Sequence, residues 1–172
     1  YVSSIPYLLA KRDGNATILL AEQRIDIHGT PRTDYDSVFV VRDDSPLKTY
    51  EDMIEQRQDL RVALTSRTST SGFVMPYRRF VKEGLLKAGE DISTLFTSVD
   101  YAGGYQQALQ QVLTGRADVC AVSHYTVEGD KTSIYLTPEE LSQLRILERT
   151  PGVPTHLVCA REGLSDNLRE RI

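Results

Sequence analysis

The stretch RVALTSRTSTSGFVMPYRRF, residues 61–80, passes from a β-branched run through a turn crowded with hydroxyls into a helical pattern. "RVALT" reads as a buried strand. Gly72 closes the turn, and apolar residues at helical spacing follow. A helix N-terminus leaves N–H groups unpaired and carries partial positive charge. A strand, turn and helix of this composition therefore serve as a capped helix start or as a cradle for an anion. Ser71 is read as the N-cap. Pro76 lies early enough that only the first helical turn should feel its missing N–H.

Working outward, strand-like runs recur at 16–22, 37–41, 97–101, 118–122, 144–148 and 155–160. Helical patterns separate most of them. Thr49 with Asp52, and Thr137-Pro138 with Glu140, read as helix-opening caps. "GYQQALQQVLTGRAD" puts Tyr105, Ala108, Leu109, Val112 and Leu113 on one face and stops at Gly115. The alternation predicts an α/β domain with a mostly parallel sheet flanked by helices. In such sheets ligands gather where strand C-termini meet helix N-termini. Besides 61–80, "VDYAGGYQQ" and "AVSHYTVE" are exits of that kind.

The 172 residues are 40% hydrophobic and 26% charged, with net charge −4 and no basic block, which argues against a nucleic-acid partner. An anion would have to be drawn by a local site. No apolar run approaches the roughly 20 residues needed to cross a bilayer. No signal peptide precedes Tyr1, and the chain reads as a piece of something larger, so targeting is not informative. Cys120 and Cys159 lie in apolar runs without metal-binding or CxxC spacing and are expected as unpaired thiols in strands. His28, His124 and His156 do not form a metal pattern, and no cofactor loop is evident.

The order of these segments resembles the phosphate/phosphonate-binding proteins of ABC importers. The resemblance rests on Tyr35 and Ser37, Asp44-Ser45-Pro46, Ser69-Thr70-Ser71-Gly72 with Pro76, Gly103-Gly104, Gly115 with Asp118, and Pro154. It implies a hinged, two-lobed periplasmic solute-binding protein that holds a tetrahedral oxyanion (phosphonate, phosphite or phosphate) and delivers it to a membrane permease. On that template residues 1–42 are part of the first lobe and a hinge strand. Residues 43–155 form a near-complete second lobe with the anion-binding helix N-terminus, and 156–172 return toward the first lobe.

Residue by residue, the resemblance makes Ser69, Thr70 and Ser71 the oxyanion-holding group and Tyr35 a phenol donor to a ligand oxygen. The family's glycine-rich turn often carries a histidine where this chain has Tyr105. Members that bind aminoalkyl phosphonates place acids where this chain has Tyr125 and His156. A protonated His156 would repel an ammonium and could meet an acidic ligand tail. Two other functions compete with this reading. A hydrolase lacks a G-x-S-x-G elbow here and any acid pair, and a sensor domain of a signalling protein shares the implied fold.

Overall fold

The computed structural model describes residues 1–26, 28–129, 132–169 and 171, and the chain divides into two units, Tyr1–Tyr35 with Pro154–Ile172, and Asp36–Val153. From the N-terminus come helix α1 (Ser4–Arg12) and strands β1 (Thr17–Ala21), β2 (Arg24–Ile25) and β3 (Pro31–Arg32). Strand β4 (Asp34–Arg42) carries the chain into the second unit. There follow α2 (Tyr50–Glu55), β5 (Arg61–Leu64), α3 (Met75–Lys82), β6 (Ser98–Tyr101), α4 (Tyr105–Leu113), β7 (Val119–Ser123) and α5 (Pro138–Leu141). Strand β8 (Leu144–Pro154) leads back, and β9 (Leu157–Ala160) and α6 (Asp166–Arg169) close the first unit.

The second unit is built on a five-stranded sheet in the order β6-β5-β7-β4-β8. β5 runs parallel to both β6 and β7, whereas β4 runs antiparallel to β7. The sheet is thus mixed. The parallel pairs join strands connected by helical crossovers, which bring the chain back to the same end each time. Strand period two sorts the core. Phe39, Val41, Val62, Leu64, Val119 and Ala121 pack with Phe80 of α3 on one face. Val38, Val40, Ala63, Cys120 and Val122 pack with Ala108, Leu109 and Val112 of α4 on the other.

Local signals act as expected at α2 and α5. Thr49 and Thr137 accept from the N–H groups of Asp52 and Glu140, and both caps are reciprocal boxes. The first unit contains the antiparallel pair β1–β9 and the short hairpin β2–β3. Two-residue strands are too short to show a period, which is why the sequence pattern missed β2 and β3. Cys120 and Cys159 are free thiols, and burial pushes the Cys120 thiol up from its ordinary range. Among the described residues no helix is long and apolar enough to cross a membrane.

Candidate functional site

Between β5 and α3 the chain forms a single π-type turn, Thr70–Val74, rather than running directly into an α-helix. Its geometry follows from Pro76. An α-helical residue 76 would donate to the Gly72 carbonyl, and proline has no N–H to give. The Gly72 carbonyl instead accepts from the N–H of Thr65 at 3.3 Å. The N–H of Met75 reaches back to Thr70, which releases the Ser71 carbonyl. That carbonyl is taken by the Ser37 hydroxyl of β4 at 2.6 Å. The turn is therefore stitched to two strands by the carbonyls a regular helix would have used.

The cap differs from expectation. Ser69, not Ser71, caps this turn, its hydroxyl accepting from the Gly72 N–H at 3.0 Å. The π-type turn begins earlier than the helical period suggested, which shifts the cap upstream. Thr70, Ser71 and Gly72 are buried. A Cβ on Gly72 would overlap Thr65 Oγ1 and lie 2.7 Å from its Cγ2, so only glycine fits against β5 here. Ser71 Oγ lies 2.7 Å from the hydroxyl of Tyr105, the first residue of α4.

Tyr105, Tyr125 and Tyr135 pack on one another, with ring centroids 6.1–6.2 Å apart. The hydroxyls of Thr65, Thr70 and Ser123, at this end of the sheet, are buried without a hydrogen-bond partner among the described residues. Such groups cost about 1–3 kcal/mol each unless something satisfies them. Arg67 within the turn lies over the Tyr101 ring at 4.5 Å and pairs with Asp91 at 3.3 Å. His124 Nδ1 accepts the Asp36 N–H at 3.0 Å. Arg149 holds both Asp36 and Glu128, at 2.9 and 2.7 Å. Among the described residues no group of His, Cys, Asp or Glu could hold a metal ion.

Thus the second unit brings together Ser69, Thr70, Ser71, Tyr105 and Tyr125. Tyr35 and His156 belong to the first unit. There the two rings are stacked, 6.4 Å between centroids, and the Arg24 guanidinium lies 5.6 Å from the Tyr35 ring centre. Arg24 Nη2 is 3.2 Å from His156 Nδ1. A guanidinium only donates, so that nitrogen accepts and carries no proton. Burial first and Arg24 second hold the imidazole below its ordinary range, against the pull of Glu22. The charged form that would repel an ammonium or meet an acidic tail is therefore disfavoured. Sequence reading missed Arg24, Thr65, Ser123 and Tyr135. Only strand exits could have flagged Thr65 and Ser123, while Arg24 and Tyr135 sit in segments without a pattern.

Comparison with known proteins identifies the family. The family model for the phosphonate ABC transporter periplasmic substrate-binding protein matches residues 1–172. A phosphonates-binding periplasmic protein of Escherichia coli (strain K12) is 29% identical over 151 residues, covering 87% of this chain and 41% of its own. A binding-protein component of an ABC phosphonate transporter from Pseudomonas aeruginosa superposes with TM-score 0.78 at 21% identity, over 99% of this chain and 53% of that one. A Prochlorococcus marinus protein in complex with methylphosphonate gives 0.68 at 21%, over 92% and 54%. The chain spans about half the length of these relatives.

Proposed function

We propose a function from one premise: this chain belongs to the family of periplasmic phosphonate substrate-binding proteins of ABC transporters. It takes part in capturing a small tetrahedral oxyanion, a phosphonate, phosphite or phosphate, outside the cytoplasm for delivery to a membrane permease. The oxyanion sits at the π-type turn. Its donors are the first-turn N–H groups other than that of Gly72, which have no intrahelical acceptor, and the hydroxyls of Ser69, Thr70 and Ser71. Ser69 accepts from Gly72 and still has its own proton to give. Tyr125 packs on Tyr105, whose hydroxyl meets Ser71 of this group.

The observation that carries the reading is Thr70. Its hydroxyl is buried and unpartnered at the open end of a helix, where an oxyanion supplies the missing acceptor. Thr70→Val keeps the shape and removes the hydroxyl. A hydroxyl without a partner can be replaced by an apolar isostere at little or no loss, so the ligand-free variant should be at least as stable as the wild type. Binding should weaken by about 10- to 100-fold, as for a bond of about 1.5–3 kcal/mol to a charged group. Calorimetric titration of the intact protein with methylphosphonate, phosphite and phosphate provides the readout. Unchanged affinity, or no binding of any of these anions by the wild type, would overturn the reading.

A further inference from the structure

The Ser71–Tyr105 contact fixes more than a position. The two oxygens are 2.7 Å apart, and Ser71 is fully buried. A phenol is a stronger donor and a weaker acceptor than an alkyl hydroxyl, because its lone pair is drawn into the ring. Of the two, the phenol is thus the better donor and Ser71 the better acceptor. With the phenol donating, the single Ser71 proton has no acceptor among the described residues, since the hydroxyl makes no other hydrogen bond. A serine in a first helical turn otherwise gives its proton to a preceding carbonyl.

We propose that Tyr105 is a positioning residue that orients and polarises the Ser71 hydroxyl, so that Ser71 always presents its proton to the ligand oxygen. The inference rests on the oxyanion site proposed above and names how that site is regulated at one donor. Tyr105 reaches Ser71 across 34 residues of sequence, from the start of α4. Its ring is held by Tyr125 at 6.1 Å, interplanar angle 90°, and by Tyr135 at 6.2 Å, 75°. Two neighbouring rings leave the phenol few alternative rotamers, so the donor direction is set before a ligand arrives. A chain of two hydroxyls polarises in one direction, which strengthens the terminal donation. A site wired this way demands an acceptor opposite Ser71, and so selects a deprotonated oxygen over a P–OH group.

A double-mutant cycle in the intact protein tests the relay, with methylphosphonate as probe. Tyr105→Phe keeps the ring and removes only the hydroxyl, and is expected to weaken binding by about 3- to 10-fold, as for one neutral hydrogen bond. Ser71→Ala is expected to weaken it by about 10- to 100-fold. The double variant should bind like Ser71→Ala alone, because the relay passes the effect of Tyr105 through Ser71. Tyr135→Ala, which removes one of the two rings that hold Tyr105, should approach Tyr105→Phe. Losses that add in the double variant, or an unaffected Tyr105→Phe, overturn the relay and leave the oxyanion site standing. Absence of binding by the wild type removes the site itself and the relay with it. Thermal melting of each variant without ligand separates misfolding from lost contacts.

Discussion

At the scale of single residues, Gly72 is the position with least freedom. Its missing Cβ is the space filled by the Thr65 side chain, whose Cβ would be only 2.9 Å from an added methyl. Threonine is stiff at χ1, so it cannot swing aside. Gly72→Ala should therefore destabilise by about 1–3 kcal/mol, the range for overpacking. It should also weaken anion binding, because the turn must shift off β5. Thr65→Ala in the same chain removes two of the three overlapping atoms and should recover part of the stability. Denaturant unfolding of the single and double variants measures both effects. A Gly72→Ala protein as stable as the wild type would show that the turn is looser than this packing requires. The Ser71–Tyr105–Tyr135 arrangement belongs to the same scale, and there the sequence named two of the three residues. Tyr135 lay in a stretch without period or motif, so nothing local marked it.

At the scale of elements, β4 is where the histidine chemistry matters. Its Asp36 N–H is held by His124 Nδ1, with Asp36, Glu128 and Arg149 around the ring. Burial is the largest effect and lowers the imidazole below 6.5. His156, buried beside Arg24, is lowered as well. In both cases the unfolded chain binds the proton first as pH falls. Stability is therefore complete above about pH 6.5 and declines as pH drops from there toward the folded-state values. Protonating His124 Nδ1 would also turn an acceptor into a donor facing a donor. Thermal midpoints between about pH 7.5 and 5.5 should fall for the wild type and stay nearly level for a His124→Gln, His156→Gln double variant. Identical slopes in the two proteins would assign the pH dependence elsewhere. The helix caps at Thr49 and Thr137 were readable in sequence because a capping box spans only four residues.

At the scale of the whole molecule, the proposed oxyanion site raises the question of selectivity. An ammonium brought out of water needs a paired carboxylate. In the second unit Arg149 already occupies Asp36 and Glu128, and in the first Arg24 occupies Glu22. The resemblance puts Tyr125 and His156 where amine-binding relatives carry acids, and burial and Arg24 disfavour the charged imidazole. Methylphosphonate should therefore bind at least about 10-fold more tightly than 2-aminoethylphosphonate, the equivalent of one charged hydrogen bond. Competition calorimetry on the intact protein decides this, and tighter binding of the amine would mean that a further acid supplies the countercharge. His156→Asp should move the preference toward the amine.

By itself the sequence determined the strands with a clear period, the capped helices α2 and α5, and a hydroxyl-rich turn at a strand exit. All of these depend on chemistry within a few neighbouring residues. The same local logic chose the wrong cap, because Ser71 and Ser69 are equally good capping residues in isolation. Only the tertiary structure decided between them. The missing N–H of Pro76 releases carbonyls that must find partners, and those partners, Ser37 and Thr65, are brought there by the sheet. The register of β4 against β7 and of β5 against β7 also decides which hydroxyls end up buried without a partner. A residue's neighbours along the chain do not specify such contacts, because strand pairing joins segments distant in sequence, and only the packed sheet holds them together.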